Sequence, residues 1–191
     1  MRTLWCGLLL VAFASVVFAQ VEPKPASGPP TLPNAPRSAP GATLVISGHI
    51  TAGEDAPSFE LASSSGHDRS LHSLKGDWVV LVFMPRKSDF VPYKKAAADF
   101  AKLPATLLGI TCDNPQTLRT LVTKEQLPYE LLGDATGEVS AVYGMWDPLD
   151  STTRAGLVVV DRKGMVRLVV SGQILPPEEV LSLTSITIQG S

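Results

Sequence analysis

Trp78-Val79-Val80-Leu81-Val82-Phe83-Met84 is apolar at every position and stops at Pro85. The run is rich in β-branched and aromatic residues and reads as a strand buried on both faces. Downstream, Tyr93, Ala96, Ala97 and Phe100 recur at helical spacing, which predicts a helix there. Residues 107–111 read as a second buried strand. Asn114-Pro115 has the form of an N-cap followed by proline at the first helical position, and Leu118, Leu121 and Val122 continue that helix. A shorter helix is expected over 138–143. Residues 156–160 and 165–170 are expected strands around the turn Asp161-Arg162-Lys163-Gly164. Pro176, Pro177, Glu178 and Glu179 open a last helix, and residues 43–46 form a candidate short first strand. The order is βαβα, then a β-hairpin, then α. The first part demands parallel strands with helical crossovers, and the hairpin adds antiparallel ones. The expected class is α/β, a mixed sheet flanked by helices on both faces.

The chain has 191 residues, 45% hydrophobic and 18% charged, with a formal net charge of −2. That length fits one domain with tails. A weakly acidic chain lacks the electrostatic footprint of a nucleic-acid binder. Two cysteines, Cys6 and Cys112, exclude a disulfide-rich scaffold and any Cys-x-x-Cys pair. His49, His67 and His72 have no metal-ligand spacing, so neither a metal nor another cofactor is expected.

Residues 1–19 read as a secretory signal: Arg2, an uncharged and mostly apolar run from Leu4 to Phe18, then Val17-Phe18-Ala19. Cleavage is expected between Ala19 and Gln20, which would remove Cys6 and export the domain to the periplasm or the extracellular space. Retained instead, the segment would be the chain's one link to a membrane, although the run is shorter than the ~20 residues a bilayer core needs. Residues 20–42 carry Pro23, Pro25, Pro29, Pro30, Pro33, Pro36 and Pro40 without apolar periodicity, the pattern of an extended, disordered linker. The domain itself is expected over 43–191.

Several short words in fixed order are more specific. They are residues 53–61 (Gly-Glu-Asp-Ala-Pro-Ser-Phe-Glu-Leu), residues 70–81 from Ser70 to Leu81, and Leu127-Pro128 through Leu132-Gly133-Asp134. Gly137-Glu138-Val139, Tyr143-Gly144-Met145-Trp146 and Arg154 ahead of Val158-Val159-Val160-Asp161 complete the series. Together they resemble peroxiredoxins of the alkyl hydroperoxide reductase and thiol-specific antioxidant type, from about residue 53 to about residue 175. The resemblance implies a thioredoxin-like fold and, as nominal activity, thiol-dependent reduction of hydroperoxides. That family carries Pro-x-x-x-Thr-x-x-Cys after its central strand, and the cysteine attacks the peroxide. Here Pro85 matches, Asp89 takes the threonine position and Pro92 takes the cysteine position. The nucleophile is missing, and a serine hydroxyl such as that of Ser88 is no effective substitute. Proline is tolerated in the first turn of a helix, where the family's cysteine would sit, and Ser88 or Asp89 is expected to cap that turn.

By resemblance Arg154 matches the arginine that stabilises the thiolate and orients peroxide. Without a thiolate, its expected partner is Asp89; a plain surface arginine and a pocket for an outside anion are the other readings. Cys112, at the end of the second strand, should face the same edge as the altered loop. It is either a relocated redox thiol or a small inert residue at a strand end, and Asp113 beside it opposes thiolate formation. His67 and His72 flank a polar turn and are expected to be solvated. Trp78 and Trp146 are expected in packing, and Lys94-Lys95 on a solvated helix face. The sequence thus points to an exported redoxin domain with absent or very weak peroxidase activity. Its alternatives are a thiol oxidoreductase working through Cys112 with a thiol donor, and a non-catalytic module holding a protein partner on the former active-site face. The oligomeric state is left open.

Overall fold

A central strand that is apolar on both sides needs cover on both, and the molecule supplies it. The computed structural model describes residues 48–190. The signal at 1–19, the proline-rich segment at 20–42, Cys6 and the candidate strand at 43–46 lie outside the described residues.

In chain order the strands are β1 (Glu60–Ser63), β2 (Asp68–Ser70), β3 (Trp78–Phe83), β4 (Ala105–Thr111), β5 (Glu130–Gly133), β6 (Trp146–Asp147), β7 (Thr152–Thr153), β8 (Gly156–Val160) and β9 (Val166–Ser171). The α-helices are α1 (Ala97–Phe100), α2 (Pro115–Glu125), α3 (Glu138–Val142) and α4 (Pro177–Gln189). Two 3-10 helices cover Leu71–Leu74 and Lys87–Ala96. Seven strands form one sheet in the order β2-β1-β5-β4-β3-β8-β9, and β6 pairs with β7 separately. β3 runs parallel to β4 and antiparallel to β8, with Val80 opposite Leu107 on one side and Val159 on the other. β4 and β5 are parallel, whereas β1–β5, β1–β2 and β8–β9 are antiparallel. The mixed sheet expected from the sequence is present.

All six residues of β3 are buried. Because side chains alternate across a strand, Trp78, Val80 and Val82 join Phe90, Tyr93, Leu118 and Val180 beneath α2 and α4. Val79, Leu81 and Phe83 face the other way and meet Phe59, Leu71, Leu74 and Tyr143. Each such side chain contributes about 1.5–3 kcal/mol by leaving water.

Asn114 caps α2 as expected: its Oδ1 accepts the Gln116 N–H at 2.7 Å, and Pro115 takes the first helical position. The turn after β8 is held by Asp161, whose Oδ1 accepts the N–H groups of Lys163 at 2.8 Å and Met165 at 2.9 Å, while Gly164 supplies the required φ of 91°.

Three expectations are corrected. The spacing of Tyr93, Ala96, Ala97 and Phe100 predicts one helix, but the segment is a 3-10 helix that becomes a single α-turn only at Ala97. In α geometry the Pro92 ring would strike the carbonyl four residues back, at Ser88, and tighter winding avoids it. The second buried strand begins at Ala105 rather than at residue 107. β1, β2 and β5 also complete the sheet without a strand signal in the sequence, since none exceeds 4 residues.

Candidate functional site

Parallel strands bring their carboxyl ends to one edge, where ligands of open α/β sheets gather. β3 delivers Pro85, Arg86 and the Lys87–Ala96 helix, β4 delivers Cys112 and Asp113, and β5 delivers Asp134. The β6–β7 hairpin closes over this edge. The Thr152 hydroxyl donates to the Pro85 carbonyl at 3.4 Å, and Thr153 Oγ1 lies 2.9 Å from Cys112 Sγ. Cys112 and the loop after β3 therefore share an edge.

A buried polar chain runs inward from the thiol. Thr153 Oγ1 lies 3.1 Å from Ser140 Oγ, and Asp134 accepts the Ser140 N–H at 2.7 Å and the Val139 N–H at 3.4 Å. Thr153, Ser140 and Asp134 are all buried. The sequence contained Asp134 as part of a family word and Thr153 as the neighbour of Arg154, but nothing in it joined them to Cys112. Positions 41 residues apart meet only through the hairpin.

Burial pushes the Cys112 thiol above its ordinary value; the hydrogen bond with Thr153 pulls it back, and the charges of Asp134 and Asp113 push it up again. The opposition from Asp113 was legible in the sequence. Asp113 also accepts Lys87 Nζ at 3.1 Å, which ties the end of β4 to the loop after β3.

The expected pair between Asp89 and Arg154 is not formed. Asp89 Oδ2 lies 3.2 Å from Nε of Arg86, three residues earlier, and Arg154 Nη2 lies 3.6 Å from Asp147 Oδ2. The hairpin register decides this: Trp146 faces Thr153 and Asp147 faces Thr152, so Arg154 stands opposite Met145, to whose carbonyl its N–H donates at 2.7 Å, and its side chain reaches diagonally to Asp147. The Leu149 N–H, the nearby Arg154 and the Asp150 N–H hold the Asp147 carboxyl below its usual range. Both ion pairs have an exposed arginine, and such pairs contribute at most about 1 kcal/mol.

Pro92 does not open the helix either. It lies inside the Lys87–Ala96 segment and is exposed, and neither Ser88 nor Asp89 caps the start, where Arg86 stands without a side-chain cap bond. The segment is instead pinned from within. Phe90 and Tyr93 are buried, Tyr93 Oη donates to the Leu175 carbonyl at 2.9 Å, and Tyr129 Oη donates to the Phe90 carbonyl. Burial pushes both phenols above their ordinary value, so they stay protonated donors. A β-carbon at Gly109 would come within 2.5 Å of the Phe90 ring, so only glycine lets that ring lie on β4. Among the described residues, no group of His, Cys, Asp and Glu has the arrangement of a metal site.

The family model described as AhpC/TSA matches residues 52–169. The chain belongs to the AhpC/TSA family. Its relatives include a chloroplastic peroxiredoxin Q of Triticum aestivum, 29% identical over 153 residues that cover 76% of this chain and 70% of the relative. The chloroplastic peroxiredoxin Q of Sedum lineare is 30% identical over 150 residues, covering 75% of this chain and 81% of the relative. Among solved structures, the peroxidoxin BcpB of Mycobacterium tuberculosis superposes with a TM-score of 0.65 at 25% identity, covering 74% of this chain and 98% of that one. AhpC of Enterococcus faecalis reaches 0.66 at 14% identity over 72% of this chain and 92% of its own, a likeness of fold. This AhpC/TSA member is thus a peroxiredoxin-like redoxin with a thioredoxin-type fold, of the thiol-dependent antioxidant kind.

Proposed function

We propose that this chain is an exported AhpC/TSA-family protein whose peroxide-reducing site has been lost, and that the former active-site face serves as a non-catalytic binding module. The observation that carries this reading is the loop after β3. Residues 87–96 form a pinned 3-10 helix with the Pro92 ring where the family motif puts the attacking sulfur. The cations of that edge, Arg86, Lys87 and Arg154, are each matched by a carboxylate of the chain itself. Export rests on the sequence of residues 1–19.

A second reading is favoured by one contact. The Thr153 hydroxyl beside Cys112 Sγ is a group able to stabilise a thiolate, which would let Cys112 act as a relocated redox thiol.

Peroxide consumption with thioredoxin or dithiothreitol as donor separates the two. The expected result is no turnover above the protein-free rate. Fast turnover abolished by Cys112→Ser would overturn the non-catalytic reading and establish the second. For export, mass spectrometry of the chain from its host should find an N-terminus at Gln20; a mature chain that keeps Met1 would contradict it.

A further inference from the structure

Leu149 stands at the tip of the β6–β7 hairpin and is 93% exposed, more than any other large hydrophobic residue among those described. The tip is ordered from within. Asp147 Oδ1 accepts the N–H groups of Leu149 at 3.0 Å and of Asp150 at 3.4 Å, and Arg154 lies 3.6 Å from the other oxygen of that carboxylate. Asp150 is exposed, and its own carboxylate has no partner among the described residues. A fixed loop thus presents an apolar side chain and a free negative charge side by side, and little ordering remains to be done on contact.

The same edge of the sheet holds a groove of the opposite character. It has a volume of about 350 Å3 and runs along α2, where Gln116, Thr117, Thr120, Leu121 and Lys124 line it together with Lys87. Among the described residues, two lysines and no carboxylate line it. These side chains are reachable: Leu121 is half-buried, and the other four from α2 are exposed. Lys124 stands 3.9 Å from Glu125, a loose surface pair that leaves its ammonium available. Lys87 is held at 3.1 Å by Asp113. That contact also locates the groove, because Asp113 follows Cys112, whose sulfur lies 2.9 Å from Thr153 Oγ1 of the hairpin. Groove and hairpin both meet the end of β4.

We propose that a second copy of this chain docks at this edge, each Leu149 entering the other copy's groove and each Asp150 carboxylate reaching the other copy's Lys124. The tip supplies the apolar group and the negative charge; the groove supplies the half-buried leucine and the weakly paired lysine. The tip does not fill its own groove, because Leu149 stays 93% exposed. Both parts lie at one edge of one chain, so a two-fold axis joins them twice and closes the pair. Two tips in two grooves make a small contact, so the dimer is reversible, with a dissociation constant on the order of ten micromolar. The proposal rests on the reading of this face as a binding surface and names its partner; the loss of peroxidase activity is a separate matter.

Sedimentation equilibrium of the intact chain over a wide concentration range tests it, with reductant present so that Cys112 cannot cross-link two copies. A monomer–dimer equilibrium is expected. Leu149→Asp should abolish it, and Asp150→Lys or Lys124→Glu alone should each weaken it about tenfold. The deciding variant carries both charge changes, Asp150→Lys with Lys124→Glu, and should recover most of the wild-type affinity. All three positions are exposed, so the denaturant midpoint, measured alongside, should stay near wild type. A chain that stays monomeric throughout, a dimer indifferent to Leu149→Asp, or a charge swap that fails to restore association would each overturn the proposal. Any of these removes the second copy as the partner, whereas the non-catalytic reading falls only to peroxide turnover.

Discussion

Thr153 stands between a thiol and a buried carboxylate, and that position decides what Cys112 is. Its hydroxyl touches Sγ on one side and Ser140 Oγ on the other, and Asp134 anchors the chain through the Ser140 N–H. Burial is the largest influence on the thiol and opposes ionisation, so at neutral pH it stays protonated and a weak nucleophile. The hydroxyl is the main group working the other way. Thr153→Val should therefore raise the Cys112 pKa further and slow its alkylation. The check is the rate of iodoacetamide modification followed against pH in both proteins. An unchanged or lowered pKa in the variant would show that the contact does not act on the sulfur.

At the scale of elements, the Lys87–Ala96 helix is unusual because its sequence opposes its place. A 3-10 run of 10 residues has poor hydrogen-bond geometry and contains a proline, so it does not persist on its own strength. Tertiary anchors hold it: the Phe90 ring on Gly109, the Tyr93 hydroxyl on Leu175 and the Tyr129 hydroxyl on Phe90. Tyr93→Phe would leave the buried Leu175 carbonyl without its donor, at a cost of about 1–3 kcal/mol. The denaturant midpoint should fall accordingly, with the slope unchanged. A wild-type midpoint would mean that the hydroxyl does not anchor the segment. The helical spacing of the apolar residues was legible because it reflects which side faces the core. The winding was not, because it depends on where the carbonyl before Pro92 can go.

Across the whole molecule, two carboxylates carry the response to acid, one linking separate strands of the sheet and one tying the β8–β9 hairpin together. Glu130 on β5 receives Arg69 of β2 in a two-pronged pair at 2.6 and 2.8 Å, spanning β1 between them. That pairing holds the Glu130 carboxyl below its ordinary 4.5. For Asp161, burial pushes upward, but the Met165 and Lys163 N–H groups and Arg167 win, and it lies below 3.8. Both folded values lie below the unfolded ones, so their stabilisation is complete above about pH 5 and is lost as pH falls through the folded values. Because Arg69 is exposed, the Glu130 share is modest. The denaturant midpoint should be flat from pH 7 to about 5 and fall below about 4, with Glu130→Gln losing part of that acid sensitivity; an equal acid response in the variant would remove Glu130 from the account. What the sequence by itself determined was the class of fold and the family, because apolar period, cap residues and motif words are local properties of the chain. Only the tertiary structure decided that Arg154 turns to Asp147, that Asp89 turns to Arg86, that Thr153 reaches Cys112 and that β5 is a strand. The places of Arg154, Thr153 and β5 depend on hairpin register or on a neighbouring strand, which no local pattern encodes, whereas Asp89 meets Arg86 within one turn of a 3-10 helix whose winding is set by its tertiary anchors.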